Sequence, residues 1–175
     1  MPEARIYLRP VRISDARMLL SWENDPSFWS ITEHPGPFSL SDIEAFIRSS
    51  LDLSRDQQQR WMICHADDHR LIGAVDLFLS ATLPSTVGIG ILIGNRVERG
   101  KGFGTEALTQ ALVIAKNRFS MTHAECLIYP DNKVSILLFE RLGFTRDGME
   151  SFRENPAWRY RLNLKESCIV AKSES

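Results

Sequence analysis

The chain has 175 residues, 43% hydrophobic and 25% charged, which is the balance of one folded domain and excludes a chain that is disordered throughout. Its 21 basic and 22 acidic side chains leave a formal charge of −1, which excludes nucleic-acid binding that relies on phosphate neutralisation. No apolar run approaches the ~20 residues of a membrane span, no signal-peptide core follows Met1, and Cys64, Cys126 and Cys168 are too few and too dispersed for a disulfide scaffold, so a cytoplasmic protein is expected.

Residues 1–165 read as one folding unit, and 166–175 as a flexible tail of charges and serines. Ile6 to Val11 alternates as an opening strand that Pro10 assigns to a sheet edge. Ser14 is the expected cap of a helix carrying Ala16, Leu19, Leu20 and Trp22 on its apolar side. The proline-rich stretch 26–37 reads as an ordered loop of functional length. Ser41-Asp42-Ile43-Glu44 has the form of a capping box, followed by Phe46, Ile47 and Leu51 at helical spacing. Residues 61–66 and 71–79 read as two strands joined by the turn Asp67-Asp68-His69-Arg70.

Residues 87–93 form a buried-strand pattern, and Gly94 to Gly104 is a glycine-rich basic turn. A helix over 105–119 follows, with Leu108, Ala111, Leu112, Ala115 and Phe119 on one face. A strand over 124–129 and a helix over 133–142 come next, the helix ending at Gly143 in a left-handed position. Phe144 and residues 158–164 supply the final strands. Strands first, then strand–helix–strand–helix–strand, implies a mixed α/β sheet covered by helices.

The turn Arg99-Gly100-Lys101-Gly102-Phe103-Gly104 lies between a strand and a helix start, where unpaired amides and the helix dipole suit a phosphate group. Arg96, Arg99 and Lys101 add positive charge. A P-loop does not fit, since five residues separate Gly94 from Gly100 and Gly102 follows Lys101. A dinucleotide fingerprint does not fit either, because the run is G-x-G-x-G. What fits is R-x-x-G-x-G, at Arg99, Gly102 and Gly104. A second segment, Asn132-Lys133-Val134-Ser135-Ile136-Leu137-Leu138-Phe139-Glu140-Arg141-Leu142-Gly143-Phe144, has the form N-x-x-[A/S]-x-x-[L/F]-[Y/F]-x-[K/R]-x-G-F. Together the two resemble the GCN5-related N-acetyltransferase (GNAT) superfamily. Leu8-Arg9-Pro10, Trp22 to Pro26 and Phe38-Ser39-Leu40 resemble its branch of ribosomal-protein alanine and spermidine acetyltransferases.

The resemblance implies a GNAT-type, mostly antiparallel sheet with a splayed strand pair, helices on both faces, and acetyl-CoA as acyl donor without a metal. It implies that backbone groups of Ile91, Leu92 and Ile93 bond the pantetheine arm, one amide polarising the thioester. Amides from Arg99, Gly100, Lys101, Gly102, Phe103, Gly104 and Thr105 would hold the pyrophosphate, Asn132 and Ser135 would touch the arm, and Phe139 would pack near its sulfur. A primary amine would attack the thioester directly in a ternary complex.

The glutamate that many relatives carry on the cofactor strand is absent, with Gly88 and Gly90 there, and Phe139 stands where a tyrosine acid is common. Asp76 and Glu33 are the candidate bases or acceptor contacts, and Tyr129 and Cys126 the candidate substitute acids. Glu23, Asp25, Glu33 and Asp76, with Trp22 and Trp29, are candidates for an acidic, aromatic acceptor pocket for a polyamine. A peptide amino terminus is the other acceptor class. Two other readings compete with the enzyme: a non-catalytic acyl-CoA sensor of the same fold, and a nucleotide-dependent enzyme using the same turn. The Cys64–His69 stretch carries metal-capable side chains that a strand would point to alternate faces, and so is not read as a metal site. Monomer and homodimer both stay open.

Overall fold

The computed structural model describes residues 3–28 and 36–167. Eight strands form one sheet: β1 (Ile6–Pro10), β2 (Leu51–Asp52), β3 (Gln58–His65), β4 (Leu71–Leu79), β5 (Thr86–Leu92), β6 (His123–Ile128), β7 (Thr145–Phe152) and β8 (Asn155–Asn163). Their order is β1-β3-β4-β5-β6-β8-β7, with β2 pairing β3. Every pair is antiparallel except β5 and β6. The helices are α1 (Ala16–Glu23), α2 (Leu40–Arg48), the single turn α3 (Leu53–Asp56), α4 (Phe103–Phe119) and α5 (Lys133–Arg141).

The period of two in the central strands sorts side chains onto two faces. Trp61 and Ile63 of β3, Val75 and Leu77 of β4, and Ile89 of β5 pack with Ala107, Leu108, Ala111 and Leu112 of α4 and Phe139 of α5. Met62, Cys64 and Ala74, on the opposite face, pack with Leu19 and Trp22 of α1 and Ile43 and Ile47 of α2. Helices therefore cover both faces, and the mixed sheet expected from the element order is the one observed. Pro10 does lie in an edge strand, since β1 pairs with β3 within this order.

Three local expectations need correction. Ser39, not Ser41, caps α2: its hydroxyl accepts from the Asp42 amide at 3.2 Å, and the Asp42 carboxylate accepts from the Ser39 amide at 2.7 Å. At the entry to α1, Asp15 and not Ser14 holds the N-cap position, and its side chain makes no cap bond to the helix. Its carboxylate accepts from the Arg12 amide at 2.8 Å and from both terminal nitrogens of Arg9 at 2.7 and 2.8 Å. Finally, β2, α3 and most of β7 were not expected; β7 is exposed on both sides for most of its length, so its sequence carries no alternation to detect.

Candidate active site

β5 and β6 pair only over Thr86–His123, Val87–Ala124 and Gly88–Glu125. Beyond Gly88 they part: β5 continues along β4 to Leu92, and β6 continues along β8 to Ile128. This opens the splay that the family resemblance implied. The Leu92 carbonyl lies over Gly73 on the β4 side, where a Cβ on Gly73 would collide with it. By strand alternation the polar groups of Ile91 turn the other way, into the gap. Of the three residues expected to line the arm, Leu92 thus spends its carbonyl on the sheet side. The Ile93 carbonyl accepts from Arg99 Nε at 3.0 Å.

After β5, Asn95 caps a short 3-10 turn over Arg96–Glu98, and Gly100 and Gly102 take left-handed φ values of +73° and +86°. An L side chain resists that region, which is why the turn needs glycine there. Gly102 supplies no side-chain cap to α4. Among the described residues, none of the amides from Gly100 to Thr105 donates to a protein acceptor, whereas the Arg99 amide reaches the Arg96 carbonyl at 3.3 Å. The result is a concave run of donors at a helix start, the form that holds an anion. Leu138 of α5 and Ile91 of β5 close on Gly104 from behind, so the two sequence motifs meet here.

The basic side chains of the turn are not free for phosphate. Arg96 grips Asp25 at 2.6 and 2.8 Å, and with the Ser27 amide holds that carboxyl down at about 2. Arg99 stacks on Phe28 at 4.4 Å besides bonding Ile93. Lys101 donates to Glu98 at 3.1 Å, and Glu98, only 5% exposed, also takes Arg70. The Lys101 bond leads the interactions that hold the Glu98 carboxyl below its usual range against the opposing effect of burial.

In the second motif, Asn132 Oδ1 accepts from the Ser135 amide at 3.2 Å and caps α5. Phe139 is a core residue, 3% exposed, with its ring edge-on to Phe144 at 5.1 Å. Burial pushes the Cys126 thiol far up, with Glu125 adding to the effect, so it is a poor proton donor to a leaving thiolate. The Tyr129 hydroxyl donates to the Phe152 carbonyl at 3.4 Å.

On the α1/α2 face a cavity of about 400 Å³ is lined by Glu23, Phe38, Asp42, Phe46, Arg60, Asp76, Phe78, Gly90 and Arg153, among others. Arg60, Asp76 and Gly90 are cross-strand neighbours on β3, β4 and β5, so the row leads from the cavity floor to the strand that borders the splay. Nothing lies within 4 Å of where a Gly90 side chain would begin. Two of the expected acceptor residues, Glu23 and Asp76, meet here. Asp25 lies away from them on Arg96, and Trp22 is buried beneath Gly94 in the core. Glu33 and Trp29 fall outside the described residues. Arg60, which joins Glu23 and Asp76, is the cavity residue that sequence reasoning missed. Its Nε and Nη2 each donate to Asp76 at 2.7 Å, and its Nη1 donates to Glu23 at 3.1 Å.

The family model described as an acetyltransferase (GNAT) domain matches residues 5–145. The chain is 27% identical over 161 residues to the probable N-acetyltransferase YjcK of Bacillus subtilis, covering 87% of this chain and 88% of that protein. It is 30% identical over 168 residues to the uncharacterized protein MJ1062 of Methanocaldococcus jannaschii, covering 93% of this chain but only 32% of that longer protein. Its fold matches the aminoglycoside acetyltransferase AAC(6')-Ib in complex with coenzyme A at TM-score 0.81, with 20% identity over 97% of this chain and 99% of that one. It also matches the spermidine N-acetyltransferase of Vibrio cholerae in complex with coenzyme A and spermine at TM-score 0.80, with 20% identity over 94% and 98% of the two chains. With the splay, the amide-lined turn and the matched domain in place, the chain belongs to the GNAT family of acetyltransferases, whose acyl donor is acetyl-CoA.

Proposed function

We propose that this chain moves an acetyl group from acetyl-CoA to a primary amine on a small cationic acceptor, in a ternary complex. The observation that carries the acceptor reading is the cavity on the α1/α2 face, whose three carboxylates (Glu23, Asp42, Asp76) and three phenyl rings (Phe38, Phe46, Phe78) adjoin Gly90 of β5. Carboxylates and aromatic faces are the surroundings that a cationic amine prefers. Solved proteins of like fold bind spermine or the aminoglycoside kanamycin, which are polyamines by chemistry, and this supports the class without choosing between them.

The donor site fits its ligand on the chain's own features. The amides of Gly100 to Thr105 hold the pyrophosphate, and the open edge of β5 at Ile91 bonds the pantetheine arm. Bound there, acetyl-CoA supplies an activated acyl carbon with a good leaving group. The Ile91 amide is placed to stabilise negative charge on the carbonyl oxygen. Thr105 and Asn132 border the arm, with Ser135 one turn into α5. Phe139 forms the wall of the core behind it. Asp76, which accepts from Arg60, stands on the strand next to Gly90 and is the carboxylate that would orient the amine and relay its proton to water.

The test is thiol release from acetyl-CoA near pH 8 with spermidine, an aminoglycoside or a short peptide bearing a free amino terminus. Release with a polyamine and not with the peptide supports the reading. Release with the peptide alone moves the acceptor to protein termini. Bound acetyl-CoA with no release from any of them leaves the non-catalytic sensor as the better account.

A further inference from the structure

We propose that Arg60 is a positioning residue that sets the charge of the acceptor cavity, so that a bound amine can reach the thioester unprotonated. The inference rests on the acetyl-transfer reading above and adds to it how the nucleophile is kept reactive.

Arg60 is 8% exposed, an unusual place for a guanidinium, and its ring-like plane lies over Phe46 at 4.4 Å. Three of its five N–H groups go to Asp76 and Glu23. Burial by itself pulls such a group down, yet the two carboxylates outweigh it and hold Arg60 above its ordinary value. It is therefore a fixed positive charge at every working pH. A neutral side chain packed there would avoid the desolvation that a buried ion pair costs, so stability alone is a weak reason for an arginine.

The charged groups facing this point come from five elements. Glu23 ends α1, Arg60 is on β3, Asp76 on β4, Asp42 in the first turn of α2, and Arg153 in the turn between β7 and β8. Asp42 and Arg153, opposite in sign, line the same cavity. At the floor, two carboxylates stand against one guanidinium, so these three groups sum to −1. Remove the guanidinium and the floor becomes −2.

That difference matters because the reaction needs a lone pair. Two unbalanced carboxylates bind an ammonium well and stabilise its protonated form, which cannot attack. A guanidinium bound to the same carboxylates opposes that effect. At a separation of several ångströms and an effective dielectric of ~20–40, one unit charge moves an amine pKa by about one unit. Arg60 thus exchanges some affinity for the ammonium against a larger fraction of free amine.

The experiment is kcat against pH at saturating polyamine, which reports on the bound acceptor, for the wild type, Arg60→Met, Arg60→Lys and the double variant Arg60→Met/Asp76→Asn. The acidic limb of Arg60→Met is expected about one pH unit higher than the wild type's, with a lower KM for the amine. Arg60→Lys keeps the wild-type limb. The double variant restores the floor to −1, so its limb returns toward the wild type's although both partners of the ion pair are gone and its maximum rate is lower. A role confined to holding the fold together predicts the opposite: loss in both variants and no return in the double. Acetyl-CoA affinity and Tm of each variant confirm that the donor site is intact, and Arg60→Gln stands in should Arg60→Met fail to fold. An unmoved limb in the neutral variant, or the same shift in the double variant, overturns the inference. A wild type that acetylates no amine overturns the functional reading itself, and this inference falls with it.

Discussion

The ring of Phe78 occupies the volume that a side chain on Gly88 would need, directly across the β4–β5 ladder. One step along β5, a side chain on Gly90 would meet nothing. The two glycines should therefore respond differently to the same methyl group. Gly88→Ala displaces Phe78, which is 44% exposed and able to swing, and so disturbs the cavity wall. The expected result is an acceptor KM raised ~3–10-fold with acetyl-CoA affinity unchanged, about 1 kcal/mol of lost contact. Gly90→Ala should fold as the wild type does. Steady-state kinetics and calorimetric titration of acetyl-CoA would separate the two, and an unchanged KM in Gly88→Ala would remove Phe78 from the acceptor site.

Gly102→Val should prevent donor binding. At φ +86° any L side chain is strained by about 1–2 kcal/mol, and its Cβ would also stand 3.3 Å from Arg5. The branched side chain then crowds the amides that face the pyrophosphate. Acetyl-CoA affinity is expected to fall at least tenfold, read by calorimetry. Wild-type affinity would mean that the phosphates lie elsewhere.

Glu98 holds Lys101 at 3.1 Å, away from the amides proposed to face the donor's phosphates. In Glu98→Gln, Lys101 is released toward the turn, while Arg70 loses its link to it. Acetyl-CoA should bind more tightly and with a steeper dependence on salt, and Tm should fall. Unaltered salt dependence would show that Lys101 stays away from the phosphates even when free.

Acid should unfold the protein through its paired carboxylates. Asp25 and Asp56 are held down at about 2 by Arg96 and Arg55, and Asp15, Asp68 and Glu98 are also lowered. A lowered folded-state pKa stabilises the fold fully above the ordinary carboxylate range near 4, and that share is lost as pH falls through the folded value. Denaturant midpoints should thus be flat from pH 7 to about 5 and fall steeply between pH 4 and 2. Asp25→Asn should reduce the drop; an identical curve would assign the loss to other groups.

The parts legible in the sequence are those whose signal is local. The glycine turn, the α5 segment and the left-handed Gly143 are fixed by spacing over a few residues, and they stand where that spacing put them. Arg60 was not legible because its partners are 16 and 37 residues away, and nothing in Gln58-Gln59-Arg60-Trp61 marks one charge as structural. The same distance misled the reading of the turn's cations: Asp25, which takes Arg96, is 71 residues earlier. Asp76 is a candidate on sequence alone, but the carboxylate itself does not disclose which cation accompanies it.

At the end of α1, Glu23 reaches the Arg60 side of the acceptor cavity, and two residues later Asp25 clasps the turn that carries the donor's phosphate amides. Two residues of chain span at most about 7 Å. The two ligand sites are consequently joined by a tether too short to absorb independent movement. If the two proposed sites influence one another through this tether, thermodynamics requires the influence to be equal in both directions.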